Sequence, residues 1–525
     1  MWAQIQSDGA GGILVSELRR GLSRSQLIVL GIAGAVGTGA LFSTAGMAAL
    51  AGPGVVLSWL IGAIMYTFIG LTYVDLALLY PEAGGPSRYS LYTHGATANM
   101  IGAFSDLIWY LFIPPIEALA TVEGANYFYP HLVAATGAPT VLGAVLGVVV
   151  MLLFVPFNYY GVKAFGQSTN GLGIIKLVLY VLVAIGFVSF ARFANFSTYG
   201  GLVPFGASGV IGAIPLAMFA FGGIRVIPDY AEEAHQHQDM RSSIIWAVIG
   251  QSIIYLLFAV AFVASINWAA DGLKSGAWAS VATLPGNPFL VIAQHGNIAW
   301  LVVLTVIIAI VGPFVTGYIY QGAGTRVLFA MGRSGIVPSR MKARSEQYKI
   351  PLAALIVFTV VGAIVAYIAA PLPSIYSLIT DAVVAGYIGF AINPVSMLAL
   401  RKQGDQGRIK GSGLVGYIAF ASASLIVYWS GWPSVPYAVV LLAIAAIIFV
   451  LIYKVGGGFS NALWYIVYIL FLTVMTYIGS VGMLSVVSFF LGSAIVIVGS
   501  LLIFLPWGVA SRQASIPTSS EFAGS

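Results

Sequence analysis

The chain alternates between long apolar runs and short polar segments from about residue 26 to residue 508. An α-helix needs about 20 consecutive apolar residues to cross a bilayer, and on this measure the pattern predicts fourteen spans. The eighth is too long for one straight span, so we expect it to continue beyond the membrane. The sequence therefore predicts an all-α polytopic membrane protein with spans near residues 26–51, 54–80, 100–128, 140–158, 171–191, 208–231, 242–267, 289–329, 352–370, 374–400, 413–430, 435–454, 462–480 and 483–508.

Charge is scarce and unevenly placed. Charged residues make up 7% of the chain, against about 25% in soluble proteins. If the N-terminus is cytoplasmic, most of the 22 basic residues fall in cytoplasmic segments, as the positive-inside rule requires. We therefore expect both termini in the cytoplasm, with a polar segment at 1–25 that is no cleavable signal and a disordered tail at 509–525. The net charge of +6 follows from these loops and does not indicate nucleic-acid binding.

Two spans carry signals for a broken helix. The first contains Gly31, Gly34, Gly37 and Gly39 within nine residues, and glycine weakens a helix by about 1 kcal/mol relative to alanine. The sixth contains Phe219-Ala-Phe-Gly-Gly-Ile-Arg225 followed by Pro228. Two broken helices five spans apart are typical of inverted-repeat transporters, with the substrate site between them. The alternative is that the glycines only permit close helix packing.

Four motifs, in the same order, resemble the amino acid–polyamine–organocation (APC) superfamily of transporters. They are the Gly34–Phe42 run, Tyr73–Gly85 with Asp75 where glutamate is usual, Phe219–Gly223 with Glu232-Glu233 following, and Arg326–Pro338. The resemblance implies a five-plus-five inverted repeat of the leucine-transporter type. Its halves would be residues 26–192 and 208–402, followed by four accessory helices at 413–508. Fourteen spans resemble the cationic amino-acid transporter branch and some prokaryotic relatives.

The resemblance places an amino-acid substrate between the two breaks. Its carboxylate would bind the backbone N–H groups of Gly37, Thr38 and Gly39 and the Thr38 hydroxyl. Its ammonium group would bind carbonyls left free where the helices unwind, those of Ile32, Ala33, Phe219 and Ala220. Phe221 is either an aromatic lid over the substrate or an ordinary packed aromatic.

Lys176 is the main candidate for proton coupling. It lies six residues into the fifth predicted span, and an ionisable residue inside a membrane is functional by default. The resemblance places it where several proton-coupled members carry a lysine in place of a sodium ion, with Thr316 as a partner. The rival is a lysine about 9 Å deep that snorkels to the headgroups. Glu117 is expected to pair with Lys176 or Arg225, or to carry a proton itself.

Arg225 departs from the family pattern. Many members carry an acidic residue or asparagine at this position, two residues after the glycine that matches Gly223. Arginine stays protonated, so we expect it to meet Glu117, Asp229 or the substrate. We favour a place in an inner gate, paired with Asp229 or Glu232, with Asp75 among the charges on the same side. Solvated loop charges are the alternative for any one of these residues.

These observations predict a secondary active transporter of the cell membrane that takes up an amino acid with protons by alternating access. An amino-acid exchanger without net proton flow is the alternative within transport. An ion channel and an integral-membrane enzyme are the alternatives from other classes, and the sequence has neither pore-lining rings nor clustered catalytic residues. No metal or cofactor is expected, and the expected partners are the substrate, protons and membrane lipid. Small and aromatic pocket residues favour a neutral amino acid, whereas the fourteen-helix plan favours a cationic one.

Overall fold

The computed structural model describes residues 5–6, 14–15, 18–284, 286–370, 381, 383–453 and 458–514. Most of the predicted N-terminal segment 1–25, residues 374–380 of the tenth predicted span and residues 515–525 of the predicted tail lie outside the described residues. The described chain is helical apart from a short antiparallel pairing of β1 (Ile5–Gln6) with β2 (Leu14–Val15) and isolated bridges.

The helices of the first predicted repeat are, in chain order, α1 (Arg24–Ala35), α2 (Thr44–Ala51), α3 (Val55–Leu79), α4 (Tyr89–Ala125), α5 (Val141–Leu153), α6 (Val155–Tyr159) and α7 (Val162–Val188). The described helices that follow are α8 (Gly206–Gly212), α9 (Ile214–Ala220), α10 (Val226–Asp229), α11 (Asp239–Ser265), α12 (Pro288–His295), α13 (Ala299–Arg333), α14 (Leu352–Ala369), α15 (Val384–Phe390), α16 (Ile392–Lys402), α17 (Ser412–Ser430), α18 (Ser434–Tyr453), α19 (Phe459–Ile478), α20 (Phe489–Gly499) and α21 (Leu505–Ala510).

Twelve of the described helical elements are long and apolar enough to cross a membrane. One of them, Gly39–Leu79, holds the second half of the first predicted span together with the whole of the second. Two shorter apolar helices, Arg24–Ala35 and Ser434–Ile448, accompany the twelve. The chain is a multi-pass membrane protein of helical architecture, and the count of fourteen stays a prediction.

Both predicted helix breaks are present. Ser23 begins α1 through a capping box with Gln26, and the helix ends at Ala35 before a π-helical turn at Gly39–Ser43. In the sixth predicted span, α9 ends at Ala220, a 3₁₀ segment covers Phe221–Arg225, and α10 resumes at Val226.

Two predicted boundaries were wrong in ways that bear on the site. The fifth span was predicted to begin at residue 171, but α7 begins at Val162 because its polar first turns are helical as well. The last helix continues to Ala510, after which the Gln513 N–H donates to the Thr93 carbonyl on α4 at 2.7 Å. The first residues assigned to the tail therefore pack against the bundle.

The core of the molecule lies where α1, α4, α7, α11 and α13 meet. The longest helix, α4, packs along α13, while α1 packs against α7, α11 and α13. Large aromatic side chains fill this interior, among them the fully buried Trp59, Trp109 and Tyr255. Apolar side chains such as Ile175, Ile185 and Leu502 are exposed on outward faces, as expected for helices that contact lipid.

Candidate functional site

Lys176 is held in the core by three oxygen acceptors. Its Nζ donates to the Ala33 carbonyl at 2.8 Å, the Gly312 carbonyl at 2.8 Å and the Thr316 hydroxyl at 2.7 Å. The residue lies in the middle of α7 and its exposed fraction is 0%. The prediction that it lies about two turns from the helix start was therefore wrong, and the snorkelling alternative fails with it. The predicted contact with Thr316 is present.

The break in the first span supplies one of these acceptors. The N–H of Gly37 bonds to the Ala35 carbonyl at 2.9 Å, so the Ala33 carbonyl lacks the partner that a continuous helix would provide. The Lys176 ammonium group donates to this carbonyl instead, and the Thr316 hydroxyl also donates to it at 3.1 Å. The unwound backbone thus positions the lysine.

Glu117 lies against the start of the second half of the same broken helix. The Thr38 hydroxyl donates to its Oε1 at 2.8 Å, and the Thr38 N–H approaches its Oε2 at 3.4 Å. The carboxylate of the protein therefore occupies donors that were predicted to hold the carboxylate of the substrate. The carboxylate is almost completely buried.

Gly37 lies between the Glu117 carboxylate and the Thr316 hydroxyl that binds Lys176. A Cβ added at this position would lie 2.6 Å from Thr316 Oγ1 and 2.8 Å from Glu117 Oε1. The Tyr180 hydroxyl donates to the Gly37 carbonyl at 3.2 Å. Lys176 and Glu117, both described, form no direct ion pair, so the expected pairing between them is indirect, through Thr316 and the backbone of residues 37–38.

The two helix breaks touch each other. Gly223 packs against the Gly31 carbonyl and Ala35, and a Cβ at Gly39 would lie 2.7 Å from that of Ala220. The Tyr255 hydroxyl bridges the breaks, 2.7 Å from the Ala35 carbonyl and 2.6 Å from the Ala220 carbonyl. Only glycine at positions 39 and 223 allows the two backbones to approach this closely.

All four carbonyls predicted to be free are engaged in this conformation. The Ile32 carbonyl accepts the N–H of Val36, and the Phe219 carbonyl accepts that of Phe221. Those of Ala33 and Ala220 accept side-chain donors. The prediction of free acceptors fails here because backbone N–H groups satisfy two of these carbonyls and side chains satisfy the other two, as buried carbonyls require.

Phe221 is fully buried in an aromatic cluster. Its ring centroid lies 5.6 Å from Trp59, 5.7 Å from Tyr66 and 5.2 Å from Tyr255. This placement favours the packed aromatic over the lid.

The expected partners of Arg225 were wrong. Its guanidinium forms an ion pair with Asp106 on α4 and donates to the Gly386 carbonyl at 3.3 Å. It also lies over the rings of Trp109 and Phe390, 5.0 and 4.6 Å from their centroids. Sequence reasoning missed Asp106, although an acidic residue in an apolar span is a signal that could have found it.

Asp229 carries no ion pair with any described residue, contrary to the prediction. It is fully buried at the end of α10. Neither carboxylate oxygen makes a hydrogen bond within the described part of the chain.

Four further ion pairs form a cluster at one end of the bundle, called here the charged end. Its pairs are Glu82–Arg88 at 2.8 Å, Glu232–Arg333 at 2.7 Å, Glu233–Arg326 and Asp75–Arg401. Glu232 also accepts the N–H groups of Leu18 and Ala83 at 2.9 and 3.1 Å. Burial alone would raise the pKa of Glu232, but Arg333 and these N–H donors hold it below its usual value.

Comparison with known proteins identifies the class of this site. The amino acid permease family model matches residues 22–452, and the chain belongs to that family. The aspartate-proton symporter of Bacillus subtilis is 28% identical to this chain over 93% of its length and 95% of the relative's. The glutamate/serine transporter AimA of the same bacterium is 27% identical over 95% of each chain. The branched-chain amino acid permease BcaP is 25% identical over 83% of this chain and 93% of the relative. The family and these relatives are membrane transporters and not enzymes.

Proposed function

We propose that this chain is a secondary active transporter that carries an amino acid together with protons. The observation that carries the proposal is the arrangement at the first break, where a buried lysine, a buried glutamate and unwound backbone meet. Amino-acid transport follows from the family. Coupling to protons is supported by these two buried ionisable groups and by the symporter among the relatives.

The substrate carboxylate binds the donors of Gly37, Thr38 and Gly39 after displacing Glu117. The Thr38 hydroxyl already holds a carboxylate, which supports the chemistry expected of these donors. The Ala33 and Ala220 carbonyls become available for the ammonium group when Lys176 and Tyr255 release them. The carbonyls of Ile32 and Phe219 bind the ammonium group only if the helices unwind further.

Protons are carried by Lys176 and Glu117, with Thr316 between them. A lysine that loses its proton no longer needs three oxygen acceptors, so deprotonation would loosen the contact between α7, α13 and the first break. Opening of that contact would give access to the substrate. This sequence of events links proton release to movement of the repeats.

Arg225, Asp75 and Glu232 belong to the inner gate. Asp106, the partner of Arg225, lies three helical turns before Glu117 on α4, about 16 Å along a continuous helix. The ion pair of Arg225 and the contact of Glu117 with Thr38 therefore lie on different turns of α4. The Arg225–Asp106 pair ties α4 to the segment before α10, which suits a gate.

The architecture proposed is a five-plus-five inverted repeat with fourteen crossings. Its parts are residues 26–192, residues 208–402 and four accessory helices at 413–508, with both termini cytoplasmic. The turn at Gly52-Pro53-Gly54 between α2 and α3 supports a division of Gly39–Leu79 into the second half of one crossing and a separate second crossing. The protein then lies in the cell membrane in contact with lipid, and the charged end faces the cytoplasm.

Amino-acid exchange without net proton flow is the second candidate. The engaged state of every predicted carbonyl suits a tight site that empties only when another substrate arrives. The relatives are named for aspartate, for glutamate and serine, and for branched-chain amino acids.

Uptake of labelled amino acids into proteoliposomes, with and without an imposed pH gradient, tests the proposal. Wild-type protein should accumulate at least one amino acid when the gradient is present, and an imposed sodium gradient should add nothing. Lys176→Ala should lose gradient-driven accumulation while keeping exchange of internal for external substrate. Gradient-driven uptake by the Lys176→Ala variant would remove the lysine from coupling, and sodium-driven uptake by the wild type would contradict the proposal.

A further inference from the structure

Asp229 is a buried carboxyl group for which the contacts described so far provide no role. It ends α10, and its exposed fraction is 0%. Its backbone carbonyl accepts the N–H of Gly84 at 3.0 Å, which ties it to the loop that carries Glu82. Its side chain accepts no well-formed hydrogen bond from a described residue, although the Tyr110 hydroxyl lies close to it.

The two nearby cations are already neutralised. Arg225 and Arg326 lie within electrostatic range of Asp229, but Arg225 pairs with Asp106 and Arg326 with Glu233. A third carboxylate would add a net negative charge to this interior. A buried anion without partners is strongly disfavoured, so the carboxyl group is neutral in this conformation and carries its proton.

The other titratable groups within electrostatic range of Asp229 are tyrosine hydroxyls. They come from α3, α4, α13 and the residue after α10, and comprise Tyr73, Tyr89, Tyr110, Tyr230 and Tyr320. The hydroxyls of Tyr73, Tyr89, Tyr110 and Tyr230 are themselves buried without partners among the described residues. Of these, Tyr110 is close enough to become a hydrogen-bond donor to an ionised carboxylate after a small movement.

We propose that Asp229 is a proton-binding site on the inner side of the transporter, which holds a proton in this closed conformation and releases it when the charged end opens. The inference rests on the proposed proton-coupled transport. Opening separates the Glu232–Arg333 and Glu82–Arg88 pairs beside the loop bonded to Asp229, and water then reaches the carboxyl group. The O–H bond breaks, the proton passes to water, and the Tyr110 hydroxyl stabilises the carboxylate that remains.

Infrared difference spectroscopy on the reconstituted protein detects this proton directly. The carbonyl-stretching band of a protonated carboxylic acid should be present at neutral pH in wild-type protein and reduced in Asp229→Asn. Glu346→Gln, at an exposed carboxylate, is the matched control and should leave the band unchanged. A band of equal size in wild type and Asp229→Asn would overturn the proposal.

Transport supplies the second readout, because asparagine keeps the shape of a protonated aspartate. One coupled proton supports about tenfold accumulation for a gradient of one pH unit. Asp229→Asn should keep substrate exchange but lose this gradient-driven accumulation, and Asp229→Glu should restore part of it. Full accumulation by Asp229→Asn would contradict the inference while leaving the proposed function intact. Absence of gradient-driven accumulation in the wild type would instead contradict the proposed function.

Discussion

The Thr38 hydroxyl donates a hydrogen bond of 2.8 Å to Glu117, so the protein holds one of its own carboxylates where its substrate is expected to bind. Lys176 and Tyr180 on α7, Tyr255 on α11 and Tyr320 on α13 lie within electrostatic range of Glu117. The substrate and the ionised glutamate compete for the same donors. Protonation of Glu117 weakens it as an acceptor and thereby favours the substrate.

Replacement of Glu117 by glutamine should therefore remove the pH dependence of substrate affinity. Wild-type affinity should increase as the pH falls, whereas Glu117→Gln should bind with a nearly constant Kd. Glu123→Gln, at the other glutamate of α4, is the control and should behave like wild type. The measurement is radioligand binding to purified protein across a pH series. A wild-type pH dependence in Glu117→Gln would rule out competition at this site.

A methyl group at Gly37 should abolish transport. The added Cβ would meet Thr316 and Glu117 at 2.6 and 2.8 Å, and the backbone there cannot retreat without breaking the Tyr180 contact. Gly171→Ala is the matched control, because a Cβ at Gly171 on α7 meets nothing within 4 Å. Initial uptake rates in proteoliposomes should fall by about tenfold or more for Gly37→Ala and remain near wild type for Gly171→Ala. Equal rates would show that this close packing is not needed.

Much of the fold follows from the sequence, whereas much of the site does not. The break after Ala35 and the segment at Phe221–Arg225 could be predicted because glycine and proline act through local backbone preferences. Asp106 and Arg225 are far apart along the chain, and only tertiary packing brings them together. The occupied carbonyls of Ala33 and Ala220 were missed for the same reason. The early start of α7 was missed because its first turns are polar, although they are helical.

Removal of both charges of the buried Arg225–Asp106 pair should destabilise the protein less than removal of one. Arg225→Gln or Asp106→Asn alone leaves an uncompensated charge in the interior, which costs about 3–5 kcal/mol. The double variant leaves none, so its unfolding temperature should lie above that of either single variant. Thermal unfolding in detergent gives the comparison. A double variant less stable than both single variants would argue against the ion pair as the main interaction of these residues.

The Glu232–Arg333 pair should make stability depend on pH in the acid range. Because the pKa of Glu232 is lowered on folding, its contribution is complete above the unfolded pKa of about 4.3 and is lost as the pH falls through the lower, folded value. Glu232→Gln should lower the unfolding temperature at neutral pH and flatten the acid dependence. Glu346→Gln should change neither appreciably, since Glu346 and Lys349 pair at the surface. An acid dependence of the same steepness in Glu232→Gln would contradict this account.

Proton entry that accompanies substrate uptake is the most direct test of the central claim. Proteoliposomes containing a trapped pH-sensitive dye are mixed with an amino acid that the protein transports, without an imposed gradient. The account predicts acidification of the interior in wild-type vesicles and none in Lys176→Ala vesicles. Substrate entry measured in the same vesicles without any acidification would contradict proton-coupled transport.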